Sequence, residues 1–260
     1  MCYITSLLFF LFFYLADFSS GFSVIMLTYL SNCFIIKRGC SVSEVIFNGC
    51  AGRIEGRFHQ AVKKNAPIAL VLSPHPKQGG TMNNRVAHTL FKSFAYKGFS
   101  VLKFNYRGVG NSEGVYDEGE GELSDAASAL DWVQSMVPMS EKFWVAGYSF
   151  GALLSMQLLM RRPELEGFIA VSPPANHYDF NFLAPCPVSG KIIQGGRDSY
   201  VKHDVVEALV EKLRAQRGID IDYSMMPNAG HLYSNHLDEL SQLASDYLDY
   251  RLTPVTRMAG

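Results

Sequence analysis

WVAGYSFGALL, Trp144 to Leu154, sets Gly147 and Gly151 symmetrically about Ser149, with an apolar run before them and a helix-like run after. G-x-S-x-G is the sequence form of a nucleophile elbow, a sharp strand-to-helix turn that lifts a serine hydroxyl to the top of a sheet. The same five residues also occur by chance, with the serine as a small residue in a glycine-rich bend. The flanking sequence separates these readings.

Working outward, apolar runs alternate with helical patterns. IALVLS (Ile68 to Ser73) is a continuous apolar run, as expected of a strand buried on both faces. Val86, Leu90, Phe91 and Phe94 recur at helical spacing and Gly98 ends that helix. FSVLKFNY reads as a strand, and Leu123, Ala126, Ala127, Leu130, Val133 and Val137 as an amphipathic helix. FWVAG is a strand, followed by a helix from Ala152 to Met160 that Pro163 stops. GFIAVS and VSGKIIQG are further strands, then Val206, Leu209, Val210 and Leu213 mark a helix. Ile219, Ile221, Tyr223 and Met225 alternate as a half-buried strand, and Leu237, Leu240, Leu243 and Leu248 supply the last helix. Ahead of all this, SEVIFNG and GRIEGRFHQ read as a hairpin turning at Asn48-Gly49. Such alternation predicts an α/β protein: a mostly parallel sheet with helices on both faces and an N-terminal antiparallel hairpin. No repeat or low-complexity linker divides residues 42–260, which read as one catalytic domain.

Composition narrows the function classes. The chain has 260 residues, 48% hydrophobic and 18% charged, which gives it material for a large core. A formal net charge of −1 offers no electrostatic basis for holding nucleic acid. Four of five cysteines (Cys2, Cys33, Cys40, Cys50) lie in the first fifth of the chain, and Cys186 stands far downstream. No C-x-x-C or zinc spacing is present, so a reducing, cytoplasmic compartment and no metal are expected. Residues 3–36 carry Asp17 as their only charge, with Lys37 and Arg38 directly after. Phe18 to Ile36 would span about 28 Å as a helix, against a hydrocarbon core of about 30 Å. Residues 1–41 therefore read either as an anchor to the cytoplasmic face of a membrane or as a dispensable extension with a later start at Met26.

In a parallel α/β sheet, ligands bind at the loops leaving the carboxyl ends of the strands. Ser149 stands in such a loop. A serine hydroxyl needs a base, and the base an orienting acid; on this kind of turn they follow in the order Ser, Asp or Glu, His. Asp198 follows the strand GKIIQG within GRDSYV, and His231 follows IDYSMMPNAG ahead of the last helix. His236, one helical turn further on, is the rival base. His59, His88 and His203 read as surface residues.

Acyl transfer also needs oxyanion donors. The backbone N–H of Phe150 is the expected first donor. The loop PHPKQGG supplies the second: Pro74 and Pro76 have no N–H, which leaves His75, Lys77 or Gln78, and Lys77 is preferred, with Gly79 and Gly80 letting the chain turn closely around the site. His75, His177, Tyr178 and Phe180 are candidate substrate contacts, with Phe182 and Leu183 beside them. The interval Pro173 to Pro187 is too short for a helical lid. YDEGEGE (Tyr116 to Glu122) reads as a solvated helix entrance, acids being favoured in a first turn.

From about Glu44 onward the chain resembles the α/β-hydrolase superfamily. Within it, the chain is similar to a small, mostly bacterial, lidless group marked by an H-P-H-P-x-x-G-G-T-M-x-N loop, an N-x-R-G-V-G-x-S-E-G loop, a G-x-S-F-G elbow and a G-x-x-D acid turn. Here these read SPHPKQGGTMNN, NYRGVGNSEG, GYSFG and GGRD. Ser73 replaces the group's first histidine, and Ser199 stands where a second carboxylate often follows the acid; both departures sit near the mouth. The related dienelactone hydrolases use a cysteine, whereas this chain has Ser149. The resemblance implies a serine hydrolase, esterase- or peptidase-like, acting on a small acyl substrate without metal or organic cofactor. An acyltransferase with the same triad and a non-catalytic binding scaffold are the alternatives.

Overall fold

The structure is a computed structural model describing residues 42–253. Eight strands form one sheet: β1 (Val42–Gly49), β2 (Gly52–His59), β3 (Ile68–Leu72), β4 (Ser100–Phe104), β5 (Phe143–Tyr148), β6 (Leu165–Val171), β7 (Gly190–Gly195) and β8 (Ile221–Met226). Their order across the sheet is β1-β2-β4-β3-β5-β6-β7-β8. β1 pairs antiparallel with β2, and β2 with β4; every later pairing is parallel. This is the α/β-hydrolase arrangement, hairpin included.

Among the described residues, five α-helices flank the sheet: α1 (Arg85–Tyr96), α2 (Glu120–Met136), α3 (Phe150–Leu159), α4 (His203–Arg214) and α5 (Leu237–Leu252). Their placement follows from strand alternation. Along β3, Ile68, Leu70 and Leu72 face a core shared with α2, α3 and α4, while Ala69 and Val71 face a second core shared with α1 and α5. A strand sandwiched in this way is apolar at every position, which is why IALVL reads as an unbroken run. The reversal between β3 and β5, which are neighbours in space, opens the crevice at their carboxyl ends.

Three local expectations shift. The hairpin turns at Cys50–Ala51, because Asn48 and Gly49 still pair with Arg53 and Gly52. Gly52 then takes φ +129°, a conformation that favours glycine. The alternation read into the last strand fails at its end: Met225 is 42% exposed and Met226 is buried. β8 is the outer strand and pairs only with β7, so its outward positions lack a covering neighbour. His59 is buried at the end of β2 rather than on the surface. Between Pro173 and Pro187 the only regular structure is a 3-10 turn, Asn181–Leu183. Among the described residues no helix is long and apolar enough to cross a membrane. The readings of residues 1–41, the tether through residues 3–36 included, lie outside the described residues.

Candidate active site

Ser149 forms the joint between β5 and α3, with φ 54° and ψ −118°. A non-glycine residue at this positive φ is strained by roughly 1–3 kcal/mol, and the surroundings must hold it there. They do so through backbone bonds: Ser149 N–H donates to Val171 O (2.8 Å), and Ser149 O accepts from Ala152 (2.8 Å) and Leu153 (3.2 Å). The two glycines make the turn possible. A Cβ on Gly147 would overlap the Gly151 carbonyl, and one on Gly151 would overlap the carbonyl oxygens of Leu72 and Ser73. The helix therefore starts at Phe150, two residues earlier than its apolar pattern suggests, with its N-terminal dipole behind the serine.

The loops after β7 and β8 bring Asp198 and His231 together: His231 Nδ1 lies 2.8 Å from Asp198 Oδ2. Asp198 is buried and heavily solvated by the protein itself. Ser172 Oγ (3.0 Å) and Gln194 Nε2 (3.4 Å) also donate to Oδ2, and the N–H groups of Tyr200 (3.0 Å) and Val201 (2.8 Å) to Oδ1. Burial pushes this carboxyl up, but the bonds from His231, Val201 and Ser172 and the charge of His231 outweigh it and hold Asp198 below the usual carboxylate range. An ionised acceptor at Nδ1 puts the imidazole proton on Nδ1 and leaves the Nε2 lone pair available. Tyr148, the residue before the serine, donates its hydroxyl to His231 O (2.7 Å) and lays its ring against the imidazole, 5.2 Å between centroids. His231 and Ser149 share no hydrogen bond among the described residues, a contact that in unliganded hydrolases often tightens only with substrate. His236 instead caps α5 and faces Glu239.

On the opposite side of the serine, Phe150 is the first residue of α3, so its N–H has no partner within the helix. The expected second donor is engaged elsewhere: Lys77 N–H donates to His75 Nδ1 (3.2 Å). Gln78 and Gly80 N–H donate to His75 O, and Gly79 N–H to Pro76 O. This tight turn leaves His75 as the residue of PHPKQGG whose N–H is uncommitted among the described residues. The His75 ring packs on Phe150 (4.7 Å), and its Nε2 meets Tyr116 Oη at 3.2 Å. Burial, aided by the Lys77 charge and opposed by Glu122 and Glu118, keeps the His75 pKa below its ordinary value.

The other candidates are spread around this centre. His177 is exposed and stacks on Tyr200 (4.6 Å between rings). Tyr178 is partly exposed and near Phe150 (6.3 Å). Phe180 is 7% exposed and packs in the core with Phe182, and Leu183 is also core. Several residues escaped sequence reading: Ser172 at the end of β6, which also meets Tyr233 Oη (2.9 Å), together with Tyr148 and Tyr200. Only their positions at or just beyond the carboxyl ends of strands, Tyr200 in the loop after β7, could have singled them out. Among the described residues no group of three His, Cys, Asp or Glu side chains is placed to hold a metal ion.

The profile of the family described as X-Pro dipeptidyl-peptidase (S15 family) matches residues 60–239. Protein RP471 of Rickettsia prowazekii (strain Madrid E) is 48% identical over 209 residues, 79% of this chain and 88% of its own length. The crystal structure of protein ATU1826 from Agrobacterium tumefaciens gives a TM-score of 0.79 at 56% identity, over 81% of this chain and 96% of that one. XC6422 from Xanthomonas campestris, described as an α/β serine hydrolase without a lid, gives 0.74 at 27% identity, over 82% and 96%.

Proposed function

Since the chain belongs to the family described as X-Pro dipeptidyl-peptidase (S15 family) and is an α/β-hydrolase, we propose that its hydrolase activity runs through a Ser149–His231–Asp198 triad on a carboxylic ester, thioester or amide. Ser149 Oγ attacks the carbonyl carbon while His231 Nε2 takes its proton. Asp198, ionised, holds the imidazole tautomer and stabilises the imidazolium. The carbonyl oxygen becomes an oxyanion held by the N–H groups of Phe150 and His75, the latter in place of Lys77. His231 then gives its proton to the leaving group, and water releases the acyl group from Ser149 by the same steps.

The observation that carries this reading is the Tyr148 hydroxyl bond to His231 O, which ties the base to the residue beside the serine. A fluorophosphonate probe tests it, since it phosphonylates only an activated serine. Wild type should be labelled on Ser149, located by peptide mass, and both Ser149→Ala and His231→Ala should lose the label. A folded wild-type protein that takes no label would overturn the triad and favour a binding scaffold. The family description supports a peptidase as the second reading. Parallel assays with p-nitrophenyl butyrate and Gly-Pro-p-nitroanilide separate ester from X-Pro cleavage.

A further inference from the structure

Ser149 is only 4% exposed although nothing larger than a 3-10 turn stands between β6 and β7. Gln78, on the turn after β3, donates its Nε2 to Tyr200 Oη at 3.1 Å, and Tyr200 belongs to the loop after β7. In the sheet, β5 and β6 lie between β3 and β7. The carboxyl ends of those two strands are therefore three strand spacings apart, about 14 Å. A direct bond between their loops spans the ends of β5 and β6, and Ser149 directly follows β5.

Tyr200 is held firmly for this role. Its N–H donates to Asp198 Oδ1 (3.0 Å), and its carbonyl accepts from Asn176 Nδ2 (2.8 Å) with His177 Nε2 at 3.3 Å. Its ring contacts the imidazoles of both His231 (4.9 Å) and His177 (4.6 Å). Gln78 differs: it is exposed, and its backbone N–H closes the turn on His75 O. One side of the bridge is anchored to the acid and the base, and the other is a side chain free to swing.

We propose that the Gln78–Tyr200 bond is a clasp across the mouth that limits the size of the acyl group reaching Ser149, so that these two side chains determine specificity. The inference rests on Ser149 being the nucleophile. Small acyl groups enter beneath the closed clasp, whereas long ones must first break it.

The test compares kcat and KM for p-nitrophenyl acetate and p-nitrophenyl octanoate in wild type, Gln78→Ala, Tyr200→Phe and the double variant. Tyr200→Phe keeps the ring on His231 and removes only the hydroxyl. Each single variant should raise the octanoate-to-acetate ratio of kcat/KM about fivefold, the size of one neutral hydrogen bond, mainly through a lower KM for octanoate. The double variant should gain no more than either single one, because both remove the same bond. A merely structural role would slow both esters alike and leave the ratio where it was. An unchanged ratio, or gains that multiply in the double variant, would overturn the clasp while fluorophosphonate labelling of Ser149 still upheld the nucleophile. Absence of that label in wild type would bring down both.

Discussion

Gly151 is the residue on which the site is most exacting. It lies against the carbonyl oxygens of Leu72 and Ser73, rigid backbone at the end of β3, so a Cβ there can be accommodated only by moving α3 or the turn after β3. Gly151→Ala should cost about 1–3 kcal/mol as overpacking. It should also reduce kcat/KM well beyond that loss of stability, because the shift displaces Phe150 N–H and Ser149 together. Urea denaturation beside ester kinetics measures both; a variant of full activity would show that the elbow tolerates displacement. At this scale the sequence was most informative where chemistry is local. The candidates Ser149, Asp198 and His231 come from a glycine-flanked serine and from the loops that follow successive strands, and the fold brings the last two into contact. Ser172, Tyr148 and Tyr200 could not be read in this way, because each acts on a residue brought near only by strand pairing. Lys77 illustrates the same limit from the other side: removing the prolines left three candidate amides, and only the folded turn shows that the His75 side chain occupies Lys77 N–H.

Among the elements, α2 is fixed to the sheet by charge as well as by its apolar face. Arg107, just past β4, donates its backbone N–H and Nε to Asp125 Oδ2 (both 3.0 Å) and Nη2 to Oδ1 (2.8 Å). The pair is buried, with the Asp125 side chain fully so. One turn earlier, Glu122 closes the start of the helix by accepting from the N–H groups of Asp117 (3.0 Å) and Gly119 (2.8 Å). The acidic run that reads as a solvated entrance therefore has one member, Glu122, turned inward as a cap. Asp125→Ala should destabilise by about 3–5 kcal/mol, since it leaves a buried guanidinium with only the looser Asp117 contact (3.7 Å) and strands an N–H, and Asp125→Asn by less. A urea midpoint unchanged in Asp125→Ala would mean that Arg107 finds another partner. The helices themselves were legible because their apolar residues recur at helical spacing. Buried ion pairs leave no such period, and the hairpin turn slipped two residues because Asn-Gly marks a favoured turn without fixing the register of its strands.

For the molecule as a whole, acid and alkali act on stability through groups spread across the fold, the largest of them on the acid side far from the serine. His88 on α1 and Lys103 on β4 meet at 3.1 Å, and Lys103 Nζ also donates to Met82 O (2.8 Å). Burial, followed by the charges of Lys103, Lys92 and Arg57, lowers His88 to about 4. Burial, followed by Arg57 and Lys92, lowers Lys103 to about 8. In both cases the unfolded chain binds the proton more tightly than the folded one, so stability rises with pH between the folded and unfolded values. The His88 contribution is complete above about 6.5 and is lost as pH falls toward 4. That of Lys103 is complete only above about 10.5 and is lost as pH falls through 8. His59 and His75, also lowered by burial, add to the acid-side loss, and below it the lowered carboxyls of Asp198 and Glu55 lose theirs. Above pH 10 the trend reverses, because burial raises the hydroxyls of Tyr148 and Tyr233 and the unfolded chain then releases its protons first. Urea midpoints should therefore climb from pH 5 to pH 7 and again from pH 7 to pH 9. His88→Gln should reduce the first rise and Lys103→Met the second; because the Lys103 charge helps to lower His88, Lys103→Met should also reduce the first rise. A midpoint that stays level between pH 7 and 9 in the wild type would mean that Lys103 keeps an ordinary affinity for its proton inside the fold.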